Sequence, residues 1–408
     1  GREQNVFNET TGHAQRLQFD SPVLMCSDIE QLVTEDQAHY SNATINLNYL
    51  PSEGLKSAVK RICDEAQQLA KDGTVLIILS DRNITKETLP IPAAMAVGAV
   101  QRRLVDNSLR CDTNIVIETG SCRDPHQFAV LLGFGATAIY PYLAFASLAK
   151  MVRDKVINKD DAQIFVSYRN AINKGLYKIM SKMGISTIAS YRCSMLFETV
   201  GLADEIVDLC FKGVSNRIQG ADFSDFQQDL TNLSRKAWIK RKPLDHGGLL
   251  KYVHDGEYHA YNPDVVGTLQ TAVRSGDYAD YLKYADLVNN RPATTFRDLL
   301  TLNTSEHSIA IDEVEPATEL YKRFDSAAMS IGALSPEAHE ALAIAMNTLG
   351  GRSNSGEGGE DIKRYGTVKN SRIKQVASGR FGVTAHYLRN ADIIQIKVAQ
   401  GAKPGEGG

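Results

Sequence analysis

The sequence predicts an α/β protein: a first domain of alternating strands and helices, then a second in which the same rhythm starts again. Two patterns carry this. Short uninterrupted apolar runs, Thr74–Leu79 foremost, read as strands covered on both faces. Between them lie stretches with apolar residues three and four apart, the spacing of a helix that buries one face. Strands that alternate with helices pair in parallel through right-handed crossovers. A partial barrel-like arrangement and an open parallel sheet both satisfy the pattern.

Residues 1–50 are polar and irregular, with short apolar pieces such as Ser21–Leu24. Leu55, Val59, Ile62, Ala66 and Leu69 make Gly54–Lys71 a helix that leads into the Thr74–Leu79 strand. Pro90–Leu104 is a second helix with Pro92 in its first turn, where the missing N–H has no intrahelical partner to lose. Asn114–Glu118, Asp124–Gly133 and Ala136–Tyr140 continue as strand, helix and strand, and Asp160–Gly184 as a long helix. Gly213–Lys242 turns polar and charged around Trp238. His246-Gly247-Gly248 and Pro263 then read as the loop region joining two domains, 1–262 and 263–408. Asp264–Leu302 is helical again, with Tyr278, Tyr281 and Tyr284 along it. From Met329 the order is strand, helix, glycine-rich loop, helix, strand, glycine-rich loop.

Composition narrows the function. A net charge of −3 over 408 residues gives no basis for binding nucleic acid or an anionic membrane. No apolar run reaches transmembrane length and no secretory segment opens the chain, so a cytoplasmic location is expected. Cys26, Cys63, Cys111, Cys122, Cys193 and Cys210 form no C-x-x-C and no cluster with histidine. They read as reduced structural thiols, and no metal site is expected.

Three C-terminal segments hold the residues for a ligand site. Ala328–Glu337 reads as a short strand followed by a helix, with Ser335 as N-cap, Pro336 at N1 and Gly350 at the far end. Leu342, Ala345, Met346 and Leu349 form its inward face. The Met329–Leu334 turn thus lies at the carboxyl end of a strand, where α/β barrels place ligands. Gly350–Asp361 holds five glycines and three acids, either a solvated loop or a nest of backbone N–H groups for phosphate or carboxylate. It carries neither a nucleotide P-loop nor a dinucleotide fingerprint. Asp392–Val398 reads as a strand with Ile394, Ile396 and Val398 on one side and Gln395 and Lys397 on the other. Burying that second side is costly unless a ligand or counter-ion satisfies it. Gln400 and Lys403 follow in a second glycine loop, suited to a small dianion. Ser80-Asp81-Arg82 and Glu118-Thr119-Gly120 also end strands, although βα turns need such polar caps in any case.

Four of these stretches resemble the large subunit of glutamate synthase: Met-Ser-Ile-Gly-Ala-Leu-Ser-Pro-Glu-Ala-His-Glu (329–340), Ser-Asn-Ser-Gly-Glu-Gly-Gly-Glu-Asp (353–361), Ile373–Val383 and Ile396–Gly408. Leu79–Arg82, Ile139–Leu143, Met180–Ser190 and Gly256–Pro263 are similar to that family's central domain. The resemblance covers essentially the whole chain, with one departure: the Arg364–Ser371 connection is shorter than in many relatives.

The resemblance implies an enzyme that makes L-glutamate from 2-oxoglutarate and glutamine-derived ammonia, by FMN-dependent reduction of 2-iminoglutarate. Residues 1–262 would be the tunnel-lining central domain, and 263–408 the first βα units of an FMN-binding (β/α)8 barrel. It further implies that Met329, Ser330, Ile331, Gly332, Ser355, Gln395 and Lys397 meet FMN. Gln400, Lys403, Gly356 and Glu357 would meet substrate, with Lys403 and Glu340 in catalytic positions. A glutaminase domain, the rest of the barrel, a 3Fe–4S cluster with ligands outside this chain, and a small NADPH/FAD subunit or ferredoxin complete the expected partners. The chain alone is expected to be inactive. The alternative is a non-catalytic α/β interdomain scaffold without a ligand of its own.

Overall fold

The computed structural model describes residues 7–8, 11, 16–34, 40–239, 247–305, 307–379 and 381–398. It is α/β and divides into two compact units, Gly1–Lys240 and Arg241–Gly408.

The first unit is built on four parallel strands in chain order: β1 (Asn42–Asn46), β2 (Leu76–Ser80), β3 (Asn114–Glu118) and β4 (Ala138–Tyr140). Beyond β4 the sheet gains a short neighbour. Leu24 N donates to Ile139 O at 2.9 Å, and Ile139 N to Pro22 O at 2.8 Å. Alternate residues of β2, β3 and β4 enter different cores, as a pleated strand requires. Ile77, Leu79, Ile115, Ile117 and Ile139 meet α1 (Leu55–Lys71), α2 (Ala93–Asp106), α3 (Pro125–Gly133) and α4 (Asp161–Lys182). Leu76, Ile78, Val116, Ala138 and Tyr140 pack with Leu24, Ile29, Leu32 and Phe145 on the other face. Both faces are therefore covered, which is why β2 and β3 read as unbroken apolar runs. A capping box starts α3, with Asp124 accepting from Gln127 N at 3.0 Å and Pro125 in the first turn.

The structure departs from the sequence reading in several places. Residues before 50 include a helix, Cys26–Thr34, and the edge strand β1, whose only buried side chain is Ile45. A polar edge strand leaves no apolar run to detect. A second parallel pair, β5 (Glu198–Leu202) and β6 (Ser215–Ala221), lies in a segment too exposed to show an apolar alternation. Asp264–Leu302 is broken into α5 (Pro263–Ser275), α6 (Tyr278–Asn289) and a 3₁₀ turn at Phe296–Leu299. Gly276, in the left-handed region at φ 67°, ends α5, and Asp277 caps α6. His246 lies outside the described residues.

The six cysteines are free. Cys63, Cys122 and Cys210 are buried, which pushes their thiols up, whereas Cys26 and Cys111 are exposed. Among the described residues no helix is long and apolar enough to cross a membrane.

Gly98 of α2 marks a tight approach. A Cβ there would lie 2.1 Å from Cys210 O and 3.3 Å from the Phe211 ring. An unobstructed helix glycine gains about 0.5–1 kcal/mol on conversion to alanine. Gly98→Ala should instead destabilise by about 1–3 kcal/mol. Urea unfolding reads the sign, and an unchanged or raised midpoint would refute the close contact.

Candidate functional site

The second unit repeats the parallel, chain-order arrangement. Asp325 bridges Arg352, Asn354 bridges Ile373, and β7 (Ile373–Val376) pairs with β8 (Ile393–Ile396). The short strand expected at the start of Ala328–Glu337 does not form. Pairing stops at Ser326, whose N–H donates to Arg352 O at 2.9 Å and whose hydroxyl accepts from Asn354 N at 3.0 Å. Met329–Ala333 forms a turn, within the Met329–Leu334 turn read from the sequence, and Ser330 accepts its local donors. Gly332 N donates to Ser330 Oγ at 3.1 Å and Ala333 N to Ser330 O at 2.8 Å.

The helix α7 (Pro336–Leu349) begins and ends as its caps dictate, with Ser335 accepting from Ala338 N and Gly350 at φ 82°. Its buried residues are His339 and Ala343, while Leu349 is half exposed at 51%.

The glycine loop lies directly on this turn. A Cβ on Gly356 (φ +64°) would sit 2.5 Å from Ser330 N and 2.7 Å from Met329 C. One on Gly358 would sit 2.7 Å from Ser330 Oγ and 3.3 Å from Ile331 Cγ2. At Gly356 backbone meets backbone, in the left-handed region that favours glycine.

Polar side chains extend from the same loop to β7 and β8. Asn354 Nδ2 donates to Gln395 Oε1 at 2.7 Å, and Gln375 Nε2 donates to the same oxygen at 2.8 Å. Gln375 and Gln395 are register partners, so they share a face. Two donors on Oε1 fix the Gln395 amide and leave its NH₂ for another acceptor. Lys397 Nζ pairs with Glu357 Oε1 at 2.8 Å, while Glu357 Oε2 is buried with no hydrogen-bond partner among the described residues. Ile394, Ile396 and Val398 on the other side of β8 are exposed.

Met329, Ser330, Ile331, Gly332, Ser355, Gly356, Glu357, Gln395 and Lys397 are thus brought into one neighbourhood. Glu340 stands apart from these contacts and pairs with Lys369 at 2.7 Å. Gln400, Lys403 and the second glycine loop lie outside the described residues.

Behind the loop sits a charged cluster that sequence reasoning missed. Lys374, fully buried in β7, donates to Glu360 Oε2 at 2.6 Å, Asn370 Oδ1 at 2.9 Å and Ser371 O at 2.9 Å. The rings of Tyr365 and Tyr387 lie 5.1 and 5.2 Å from its ammonium. Burial lowers the Lys374 pKa, and the Glu360 carboxylate opposes the shift.

Arg364 Nη2 lies 3.2 Å from Glu360 Oε1, its Nε donates to Lys369 O at 2.9 Å, and its Nη1 donates to His339 Nδ1 at 2.7 Å. His339 Nε2 then reaches Ser355 O at 3.1 Å. Tyr387, whose hydroxyl burial pushes up to about 12, lies 2.6 Å from Ser355 Oγ. The signals were present in the sequence: a lysine directly after a buried isoleucine in β7, and Glu360 four residues before Arg364.

The first unit's candidate residues close on each other. Ser80 Oγ and Arg82 Nη1 donate to Glu118 at 2.5 and 2.6 Å. Thr119 Oγ1 and Gly120 N donate to Asp81 at 2.6 and 3.0 Å, against a burial that raises the Asp81 pKa. These are strand-end ties with their acceptors already filled.

Residues 1–203 match a family model described as the glutamate synthase central domain, and residues 259–408 one described as a conserved region in glutamate synthase. The chain belongs to the glutamate synthase family. It is 39% identical, over its whole length, to the ferredoxin-dependent glutamate synthase of Pyropia yezoensis and to the glutamate synthase [NADPH] large chain of Bacillus subtilis. The same identity holds against the glutamate synthase [NADH] of Schizosaccharomyces pombe. The chain spans 29%, 27% and 20% of the length of these relatives. Among solved structures, a mutant flavocytochrome b2 with pyruvate bound overlaps 39% of this chain and 40% of its own, at 14% identity and a TM-score of 0.25. That overlap is too loose to define a fold.

Within this family member the buried cluster makes a sharp stability prediction. Lys374→Met strands the Glu360 carboxylate and should destabilise the second unit by about 3–5 kcal/mol. Combining it with Glu360→Gln should recover most of that loss. Denaturant titration of both variants checks this, and equal losses would mean the two groups do not act as a pair.

Proposed function

We propose that this chain is part of a glutamate synthase large subunit. Residues 1–262 serve as its central domain and residues 263–408 as the first part of an FMN-binding barrel. The parent enzyme would make L-glutamate from 2-oxoglutarate and glutamine-derived ammonia. One observation supports this most: three segments far apart in sequence converge at the Met329–Gly332 turn, the Gly356–Gly359 loop and β8, carrying an amide and an ion pair with atoms to spare. The parallel, chain-order pairing from Asp325 to β8 is the order in which a (β/α)8 barrel grows.

The residues fit a planar, acceptor-rich ring. The exposed Met329 side offers an apolar surface, and the Gln395 NH₂ offers a donor for a ring carbonyl. Lys397 places a positive charge beside them, as a ligand that gains electron density would need. FMN, when bound, supplies the reducing equivalents for 2-iminoglutarate. Gln400 and Lys403 bind the 2-oxoglutarate carboxylates, and Glu340 completes the substrate side. A 3Fe–4S cluster with ligands outside these residues, a glutaminase domain, and either a small NADPH/FAD subunit or ferredoxin would supply electrons and ammonia. A cytoplasmic location follows from the same reading.

The test uses the full-length polypeptide that carries this chain. Gln395→Ala should raise the FMN dissociation constant about tenfold, the loss of one hydrogen bond to a buried acceptor. Lys403→Ala should leave FMN content unchanged and raise the KM for 2-oxoglutarate. FMN binding that Gln395→Ala does not weaken would remove Gln395 from the flavin site. A KM that ignores Lys403→Ala would remove Lys403 from the substrate site.

A further inference from the structure

We propose that His339 is a positioning residue: it couples the Ser355 carbonyl, at the start of the glycine loop, to the buried Arg364–Glu360–Lys374 cluster at the loop's end. The inference rests on the flavin-site reading above and adds a device that holds the site in shape.

The geometry begins with arginine, which can only donate. Its Nη1 lies 2.7 Å from His339 Nδ1, so Nδ1 is the acceptor and the ring proton is on Nε2. From there it is donated to Ser355 O at 3.1 Å. The ring is 2% exposed and has no competing water-facing route. Glu360 closes the other end of the loop. Its carboxylate receives Lys374 Nζ at 2.6 Å and Ser371 N at 3.2 Å, and it faces Arg364 Nη2 at 3.2 Å.

The loop between these two anchors contains Gly356 and Gly358, which touch the Met329–Ile331 turn, Glu357, which pairs with Lys397, and Gly359, which approaches Gly382. Loop backbone rich in glycine has many conformations to lose, and nothing in its own sequence selects one. The selection comes from behind: a carbonyl pinned through an imidazole and a carboxylate pinned by two cations. Ser355 adds a third tie, its hydroxyl 2.6 Å from Tyr387 Oη. Released from His339, the Ser355 carbonyl would be buried without this donor, and the peptide that starts the loop would lose its fixed orientation.

Glutamine carries a donor and an acceptor on one side-chain amide and can serve both His339 partners, whereas leucine can serve neither. In the full-length protein, His339→Leu should weaken FMN binding about tenfold, and His339→Gln should restore most of it. The apo-protein gives a readout free of FMN: a Glu-specific protease should cut after Glu357 in His339→Leu, and spare the loop in the wild type and in His339→Gln. If the wild type binds no FMN, the flavin reading fails, yet the protease pattern still decides the positioning role. Wild-type protection in His339→Leu would overturn the proposal. So would a His339→Gln protein that is cut as readily as His339→Leu at an equal melting temperature, since that marks the ring as packing alone.

Discussion

The Glu360–Lys374 ion pair governs the second unit. Both side chains are fully buried, 2.6 Å apart. Removing two charges from water costs several kcal/mol per ion, and the attraction between them offsets this only when the remaining protons and lone pairs are also satisfied. Most of them are: the ammonium has three acceptors and two aromatic faces, and the carboxylate takes a backbone N–H and faces Arg364 Nη2, which makes no hydrogen bond among the described residues. Such a cluster adds little net stability but specifies register. Sliding β7 by one residue would turn Lys374 to the opposite face and set Gln375 against Glu360. The amide pairing of Gln375 with Gln395, and through it with Asn354, requires the register that Lys374 enforces.

The glycine loop therefore has two unlike sides. Its rear is tied by ionic and hydrogen-bonded groups without exposure, and its front carries groups with capacity left over: the Gln395 NH₂, Glu357 Oε2 and the exposed Met329. Rigidity behind and unsatisfied polarity in front are what a preorganised site needs, because the cost of ordering the loop is met during folding rather than on binding.

The parts of the fold that could be read from sequence are those where one physical term dominates. The strands β2 and β3 are covered on both faces, so burial alone writes an unbroken apolar run into each. Both ends of α7 are legible because Ser335, Pro336 and Gly350 each have a local reason to be there. Where two terms compete, the reading failed. The edge strand β1 is held by backbone pairing with one buried side chain, and Asn-rich polarity masks it. At the start of Ala328–Glu337 apolar residues suggested a short strand, but the Ser330 hydroxyl took the Gly332 N–H and the Ser330 carbonyl the Ala333 N–H. Of the site, the front was legible through glycine and polar spacing. The rear was not, because Glu360, Arg364 and Lys374 look like solvated charges until the fold places them together. The neighbour of Glu340 in the chain, His339, is the one that reaches the loop.

The two units share an architecture and differ in how they end their strands. Each sets parallel strands side by side in chain order, and each brings acids and hydroxyls to the turns that follow. In the first unit these groups neutralise one another. Glu118 is filled by Ser80 and Arg82, and Asp81 by Thr119 and Gly120. A strand end whose acceptors are all filled from neighbouring turns holds the sheet together and offers little to a ligand. In the second unit the corresponding turns leave one amide NH₂ and one carboxylate oxygen without partners among the described residues. An unfilled buried acceptor costs about 1–3 kcal/mol, so Glu357 Oε2, beside the Lys397 ammonium and the glycine loop, keeps the capacity to take a further donor.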